Sequence, residues 1–264
     1  MKFQNKVVWI TGASSGIGEA VVKELSKQGA SIIISSRNIQ KLKEVKSQCI
    51  YPDKVKVLKV DLDDYLVLDK VVQRALTLFG NIDILINNGG ISQRSLAVDT
   101  GIAIDTKIFS TNYFGTVALS KALLPYFVEN NKGHFVVVTS VVGKIGTPLR
   151  SSYAASKHAL HGFFDSLRAE VHKDNITITL ICPGFVNTNI SMNALTEDGS
   201  PQNTLDKATE KGLSAEYFAQ KMLKAISSKK QEVVIGGKLE VLAVYTKRFF
   251  PGILSRMIRK LDVT

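Results

Sequence analysis

Apolar residues along this chain fall into two alternating patterns. Short runs at 6–10, 31–35, 55–60, 82–86, 134–138, 176–181 and 232–235 are rich in Val and Ile and apolar on nearly every position. Such runs predict strands buried on both faces of a parallel sheet, because neither side of the strand is polar enough to meet water. Between them, segments 19–28, 64–79, 106–130, 152–172 and 215–227 are amphipathic and long enough to serve as crossover helices. The alternation predicts an α/β fold, a doubly wound parallel sheet of the Rossmann type in a three-layer α/β/α sandwich. No Pro/Gly/Ser-rich linker or low-complexity tract divides the chain, so residues 1–264 read as one domain.

The first predicted strand runs into Thr11-Gly12-Ala13-Ser14-Ser15-Gly16-Ile17-Gly18, which opens the first helix. Glycines there let the backbone approach a pyrophosphate, and the helix amino terminus offers it free amides and a partial positive charge. In a strand-turn-helix setting this points to a dinucleotide. At the end of the second strand, where an acidic residue would hold the ribose 2′-hydroxyl of NAD, the chain reads Ser35-Ser36-Arg37-Asn38. No carboxylate repels a 2′-phosphate here and Arg37 can pair with one, so NADP(H) is the expected cofactor. The plainer alternative is that Arg37 faces solvent.

Tyr153 and Lys157 stand four residues apart on the segment predicted as helix 152–172, so they share a face. A fixed ammonium beside a phenol favours the phenolate and lowers a pKa that lies near ~10 in water, allowing proton exchange closer to neutrality. Spacing alone does not identify the pair, because Tyr217 and Lys221 repeat it.

Composition trims the remaining possibilities. A formal net charge of +11 suits a phosphorylated cofactor, an acidic partner or anionic lipid, but the basic residues are scattered and form no recognisable nucleic-acid motif. Cys49 and Cys182 make neither a metal spacing nor a disulfide framework. His158 and His161 are three apart without a carboxylate or cysteine cluster in sequence, so they read as helix surface and no metal is expected. A serine hydrolase is not expected. The polar start, the lack of a signal peptide and the lack of a bilayer-length apolar run predict a cytoplasmic protein.

The turn at 11–18, Asn87-Asn88-Gly89-Gly90, Asn112, Ser140, Tyr153 with Lys157, and Pro183-Gly184 occur in the order of the short-chain dehydrogenases/reductases, which the chain resembles over essentially its whole length. One departure is Gly89, where that family usually has alanine. The run from Asn87 to Leu96, with Asp99-Thr100 and the stretch 153–164, is similar to the dehydrogenase/reductase member 7 group, in the branch resembling 11β-hydroxysteroid dehydrogenases and retinoid reductases. The resemblance implies hydride transfer between nicotinamide and a carbonyl or alcohol carbon of a lipophilic small molecule, a steroid or retinoid. It makes Tyr153 the acid/base, has Lys157 lower the phenol pKa and hold the nicotinamide ribose, sets Ser140 on the substrate oxygen, and gives Asn112 a water for a relay through Lys157. It also implies cofactor contacts from Gly12, Ser14, Ser15, Gly16, Ile17 and Gly18 at the phosphates and Asp61 and Leu62 at the adenine. Asn88 and Gly89 would lie near the ribose, and Pro183, Gly184, Val186 and Thr188 around the nicotinamide. Taken singly, Ser140 could instead cap a strand end, Asn112 bond a neighbouring backbone group and Asp61 cap the following helix. A homodimer or homotetramer through helices 106–130 and 152–172 is the family's usual assembly.

Segment 187–213 is polar and aperiodic and reads as a mobile substrate loop, and 238–264 as an apolar and basic carboxy-terminal extension. In a helix after Pro251, Ile253, Leu254, Met257, Ile258 and Leu261 form one stripe, with Arg256, Arg259 and Lys260 outside it. That stripe could pack on the protein or lie peripherally on an anionic membrane. Two rival functions stay open, a 3-oxoacyl-carrier-protein reductase and a non-enzymatic nucleotide-binding redox sensor. The intact Ser140, Tyr153 and Lys157 speak against the second.

Overall fold

The computed structural model describes residues 2–259. The first two apolar runs become neighbouring parallel strands, β1 (Val7–Thr11) and β2 (Ser31–Ser36), with Val8 opposite Ile32 and Ile10 opposite Ile34. They are joined by β3 (Val55–Lys59), β4 (Ile84–Asn87), β5 (Gly133–Val138), β6 (Ile176–Pro183) and β7 (Glu232–Ile235) in one seven-stranded sheet of order β3-β2-β1-β4-β5-β6-β7. All six pairings are parallel. The Rossmann sandwich expected from the sequence is therefore the fold.

Side chains alternate across a strand, so each buried strand feeds two cores. On one face Val8, Ile10, Ile32 and Ile34 pack with Val21 and Leu25 of α1 (Gly16–Lys27), Leu42 of α2 (Ile39–Ser47) and Phe218 and Met222 of α8 (Ala215–Ser227). On the other, Trp9, Ile33 and Leu85 pack with Val72 of α3 (Leu68–Phe79), Leu123 and Phe127 of α5 (Gly115–Glu129) and Leu160 and Phe164 of α6 (Ser151–Glu170). Each such side chain contributes about 1.5–3 kcal/mol by leaving water. Trp9 is fully buried yet keeps its polar end satisfied, its Nε1 donating to Ser35 Oγ at 2.9 Å. The strand order reverses between β1 and β4, and the crevice beyond their carboxyl ends is where a sheet of this topology holds a ligand.

The structure departs from expectation in four places. Helix 106–130 is interrupted: α4 (Ile102–Phe109) leads into a π turn at Ser110–Phe114 before α5, and Gly115 N donates to Ser110 O across the widened turn. Gly115 packs so closely on the Leu62 carbonyl that a Cβ would stand 2.2 Å from it, and the extra residue turns Asn112 into the interior. Second, α2 carries only Leu42 and Val45 inward and so shows little periodicity; Asn38 Oδ1 starts it by accepting from Lys41 N at 3.0 Å.

Third, segment 187–213 contains α7 (Lys207–Glu210) and is stitched to the body. Leu195 bridges to Gln93 and Val186 to Leu213, while Ser191, Ala194, Asp206 and Thr209 are buried. Its polarity reflects internal bonding as much as exposure. Fourth, the chain after β7 forms α9 (Lys238–Phe249) and α10 (Pro251–Ile258), and the expected stripe is divided. Leu254 and Ile258 pack on Val141, Ile145 and Val244, whereas Ile253 and Met257 look outward; Lys260 and Leu261 lie outside the described residues. Among the described residues no helix is long and apolar enough to cross a membrane.

Candidate active site

The turn after β1 is shaped by contacts that leave no room for side chains. Gly12 and Gly16 adopt φ of +64° and +58°, where other residues are strained. A Cβ on Gly12 would lie 2.7 Å from Gly89 Cα, and one on Gly18 only 2.3 Å from Gly12 O. Thr11 and Asn88 sew the β1 and β4 ends together: Thr11 Oγ1 accepts from Asn88 N and Gly89 N at 3.1 and 3.0 Å, and Asn88 Nδ2 donates to Thr11 O and Gly12 O, both at 3.1 Å. No side chain caps α1 at Ser15, so its first amides stay open for an anion, with Ser14, Gly16 and Ile17 lining the approach.

Around this cradle stand the other expected cofactor residues. Arg37 is exposed at the end of β2, and half-buried Asp61 holds its own turn, Oδ1 accepting from Asp63 N at 3.1 Å. Leu62 is buried against Gly89, where a Cβ would meet Leu62 Cδ1 at 2.6 Å, which gives the departure from alanine a packing reason. Thr188 faces Gly16, and Pro183 ends β6 with Gly184 N donating to Ile235 O at 2.9 Å. Val186 is buried beside them.

The catalytic candidates converge at the ends of β4 and β5. Lys157 reaches from α6 to the last residue of β5, its Nζ donating to Val138 O at 3.0 Å, and Tyr153 lies beside it with Nζ 5.8 Å from the ring centroid. Ser140 begins the tight turn after β5, where its Oγ accepts from Val142 N at 3.2 Å and also bonds the Tyr153 phenol. Asn112 is fully buried on the π turn, Oδ1 accepting from Ile91 N at 2.8 Å while Nδ2 donates to Ile91 O at 2.9 Å and Ser156 Oγ at 3.1 Å. Its side-chain amide is thus committed to backbone and Ser156. Tyr217 and Lys221 face each other on α8, Nζ standing 5.1 Å from the centroid of a ring that is 47% exposed, and the serine beside them, Ser214, caps that helix by accepting from Tyr217 N at 3.2 Å.

The electrostatics depart from the expected arrangement. Burial pushes the Tyr153 phenol above its ordinary value of 10.0, and the Ser140 hydrogen bond and the charges of Arg150 and Arg94 oppose that only in part. Burial also brings Lys157 down to about 8. The cations acting on the phenol are therefore two arginines that sequence spacing does not single out. Arg94 Nε donates to Asp206 Oδ2 at 2.9 Å, Arg150 approaches the same oxygen at 3.3 Å, and Gln202 Nε2 donates to Oδ1 at 2.8 Å. Asp206 belongs to segment 187–213, so this buried cluster anchors the segment to the start of α6. Burial works against the Asp206 carboxylate, but its bonds to Arg94 and Gln202 and the two positive charges hold it below the usual range. Gln93 completes the frame by accepting from Ser152 N at 2.9 Å. Only the Gln93-Arg94 pairing with a distant acid could have flagged these residues, and sequence gives no register for it.

Replacing Tyr153 by phenylalanine is expected to lower turnover at least ~100-fold, the scale of a lost general acid, while Tyr217→Phe leaves it nearly intact. Steady-state rates of both variants check this. Asp206→Asn, which leaves two buried arginines without their carboxylate, is expected to cost about 3–5 kcal/mol in a denaturant titration.

Comparison with known proteins agrees with this architecture. A family model described as short chain dehydrogenase matches residues 6–199. Dehydrogenase/reductase SDR family member 7B of Bos taurus is 41% identical over 97% of this chain and 81% of its own length. Dehydrogenase/reductase SDR family protein 7-like of Drosophila melanogaster is 40% identical over 98% and 82%. A short-chain dehydrogenase/reductase from Burkholderia phymatum, solved in complex with NAD, superposes with a TM-score of 0.85 over 96% of both chains at 22% identity, a likeness of fold alone. With the glycine turn, Ser140, Tyr153 and Lys157 assembled at the carboxyl ends of the central strands and relatives alike over nearly the full chain, the protein belongs to the short-chain dehydrogenase/reductase family of oxidoreductases.

Proposed function

We propose that the protein is an NADP(H)-dependent oxidoreductase that transfers a hydride between nicotinamide and the carbonyl or alcohol carbon of a lipophilic substrate such as a steroid or retinoid. The observation that carries the cofactor choice is the β2 end, where Arg37 stands exposed and Ser36 occupies the place of a ribose-binding acid. The glycine cradle fits the dinucleotide because its glycines let the backbone pack into the tight turn that phosphates approach at the start of α1, where side chains would clash with Gly89, Thr188 and Gly12 O. Gly12, Ser14, Ser15, Gly16, Ile17 and Gly18 would hold the phosphates, Arg37 the 2′-phosphate, Asp61 and Leu62 the adenine, and Asn88 and Gly89 the ribose. Pro183, Gly184, Val186 and Thr188 would hold the nicotinamide. When bound, the cofactor supplies or accepts the hydride.

The chain's own groups handle the proton. With burial keeping the Tyr153 phenol protonated, it is a donor for a carbonyl oxygen as negative charge develops there. Ser140 donates a second hydrogen bond to that oxygen, and the phenolate left behind is stabilised by the charges of Arg150 and Arg94. Lys157, charged below about pH 8, binds ribose and returns the proton. The committed Asn112 side chain leaves the widened backbone turn to hold relay water. Gly90 keeps that gap open, since a Cβ would stand 3.0 Å from Asn112 Oδ1 and 3.5 Å from Lys157 Nζ.

A lipophilic substrate is supported by the apolar α9–α10 unit packed on Val141 and Ile145, directly after Ser140. Leu239, Leu242, Phe249, Ile253 and Met257 stay exposed on it among Lys247, Arg248 and Arg256, an arrangement suited to peripheral contact with an anionic membrane. A homodimer or homotetramer through α5 and α6 follows the family habit.

Arg37→Ala is expected to weaken NADPH binding by about 1.5–3 kcal/mol and to leave NADH nearly unaffected, as titration calorimetry would show. NADPH oxidation should be fastest with steroid or retinoid carbonyls when quinone and 3-oxoacyl carbonyls are assayed beside them. A preference for 3-oxoacyl chains would move the protein to the carrier-linked reductases.

A further inference from the structure

We infer that His161, Cys182 and Glu232 form a binding site for a single borderline-soft divalent cation, zinc above all. They come from α6, the end of β6 and the first residue of β7, and one donor atom from each lies within 4.8 Å of the other two. The imidazole presents Nε2 to Cys182 Sγ at 3.8 Å and Nδ1 to Glu232 Oε2 at 3.4 Å. Zinc holds sulfur at about 2.3 Å and nitrogen or oxygen at about 2.0–2.2 Å, so its ligands stand roughly 3.3–3.8 Å apart; donors now within 4.8 Å of one another close on one ion, held by a single imidazole nitrogen, with a shift of about an ångström and a turn of the ring. Thiolate, imidazole and carboxylate together are the donor set of a zinc site with a fourth position left for water.

Two further observations point to a ligand. His161 is 7% exposed, and its Nδ1, though 3.4 Å from Glu232 Oε2, makes no well-aligned hydrogen bond, a condition that normally destabilises a buried polar atom. Thr139 Oγ1 donates to Cys182 Sγ at 3.3 Å, the outer bond that orients a metal-bound sulfur. The cluster does not serve the proton chemistry of Tyr153, whose partners are Ser140 and Lys157. Nor is it a thiol hydrolase, because burial pushes the Cys182 thiol up to about 11 and leaves no nucleophilic thiolate. The expectation that His161 is helix surface fails here because β6 and β7 bring the sulfur and the carboxylate to it from far along the chain.

The present occupant of the carboxylate is Lys144, whose Nζ lies 2.6 Å from Glu232 Oε2. With a quarter of its side chain exposed, it can swing into solvent when the cation arrives. The cation then displaces the thiol proton to water and ties α6 to the strand that ends in Pro183, with no change of oxidation state.

The test is equilibrium dialysis of the full chain against zinc with elemental analysis, repeated with cobalt as an absorbing substitute. The expected result is one zinc per chain, a thiolate-to-cobalt absorption band and a zinc-dependent rise in melting temperature. Cys182→Ala and Glu232→Gln should abolish all three, Cys49→Ala should keep them, and Lys144→Met should tighten binding several-fold. Glu232 is partly exposed, so its variant reads out binding even if the Cys182 variant is poorly folded. Absence of stoichiometric zinc in the wild type, a cobalt complex without the thiolate band, or undiminished binding in Glu232→Gln would overturn the site and leave only a hydrogen-bonded cluster.

Discussion

An ammonium buried with a main-chain carbonyl as its hydrogen-bonded partner sets the terms for the rest of this site. Lys157 is 4% exposed and donates to Val138 O at the end of β5. Its pKa falls from 10.5 to about 8 in the folded chain, so the unfolded chain holds the extra proton between those values. Stability therefore rises with pH across that window, and below about 8 the buried charge costs about 3 kcal/mol. The neighbouring backbone is fitted to this side chain. Gly143 lies so close that a Cβ would be 3.1 Å from the Lys157 Cβ, and Gly90 leaves the space between Nζ and Asn112 clear.

The same water exclusion raises the phenol beside it, which makes Tyr153 a proton donor at rest instead of a standing phenolate. Its balance is set from the other side by Arg94 and Arg150, two cations held by the single carboxylate of Asp206. That cluster joins the loop after β4, the start of α6 and the segment before α8. The acid/base pair and segment 187–213 are thereby linked electrostatically, because Asp206 bonds the arginines whose charges act on the phenol.

What could be read from sequence was whatever short-range pattern controls. The apolar runs of β1, β2, β4, β5 and β6 gave strands because burial on both faces demands apolar residues at nearly every position, whereas the edge strands β3 and β7 leave Lys56, Lys59 and Glu232 exposed; the glycine turn was legible because only glycine fits between Gly89, Thr188 and the Gly12 carbonyl. Tyr153 and Lys157 were legible as helix neighbours, though their spacing could not exclude Tyr217 and Lys221; exposure and surroundings do. The Arg94–Asp206 pair joins residues 112 apart, and the His161–Cys182–Glu232 cluster joins three elements, so neither leaves a local trace. The π turn at Ser110–Phe114 escaped for a related reason: it answers to the tight fit of Gly115 on Leu62, not to its own sequence.

The central claim is that burial, and not a compensating carboxylate, controls the acid/base pair. Magnetic-resonance titration of the chain with carbon-labelled lysine tests it most directly, with Lys157→Gln identifying the resonance. The expected result is one lysine titrating near about 8 that disappears in the variant. Titration of Lys157 at the ordinary 10.5 would contradict it.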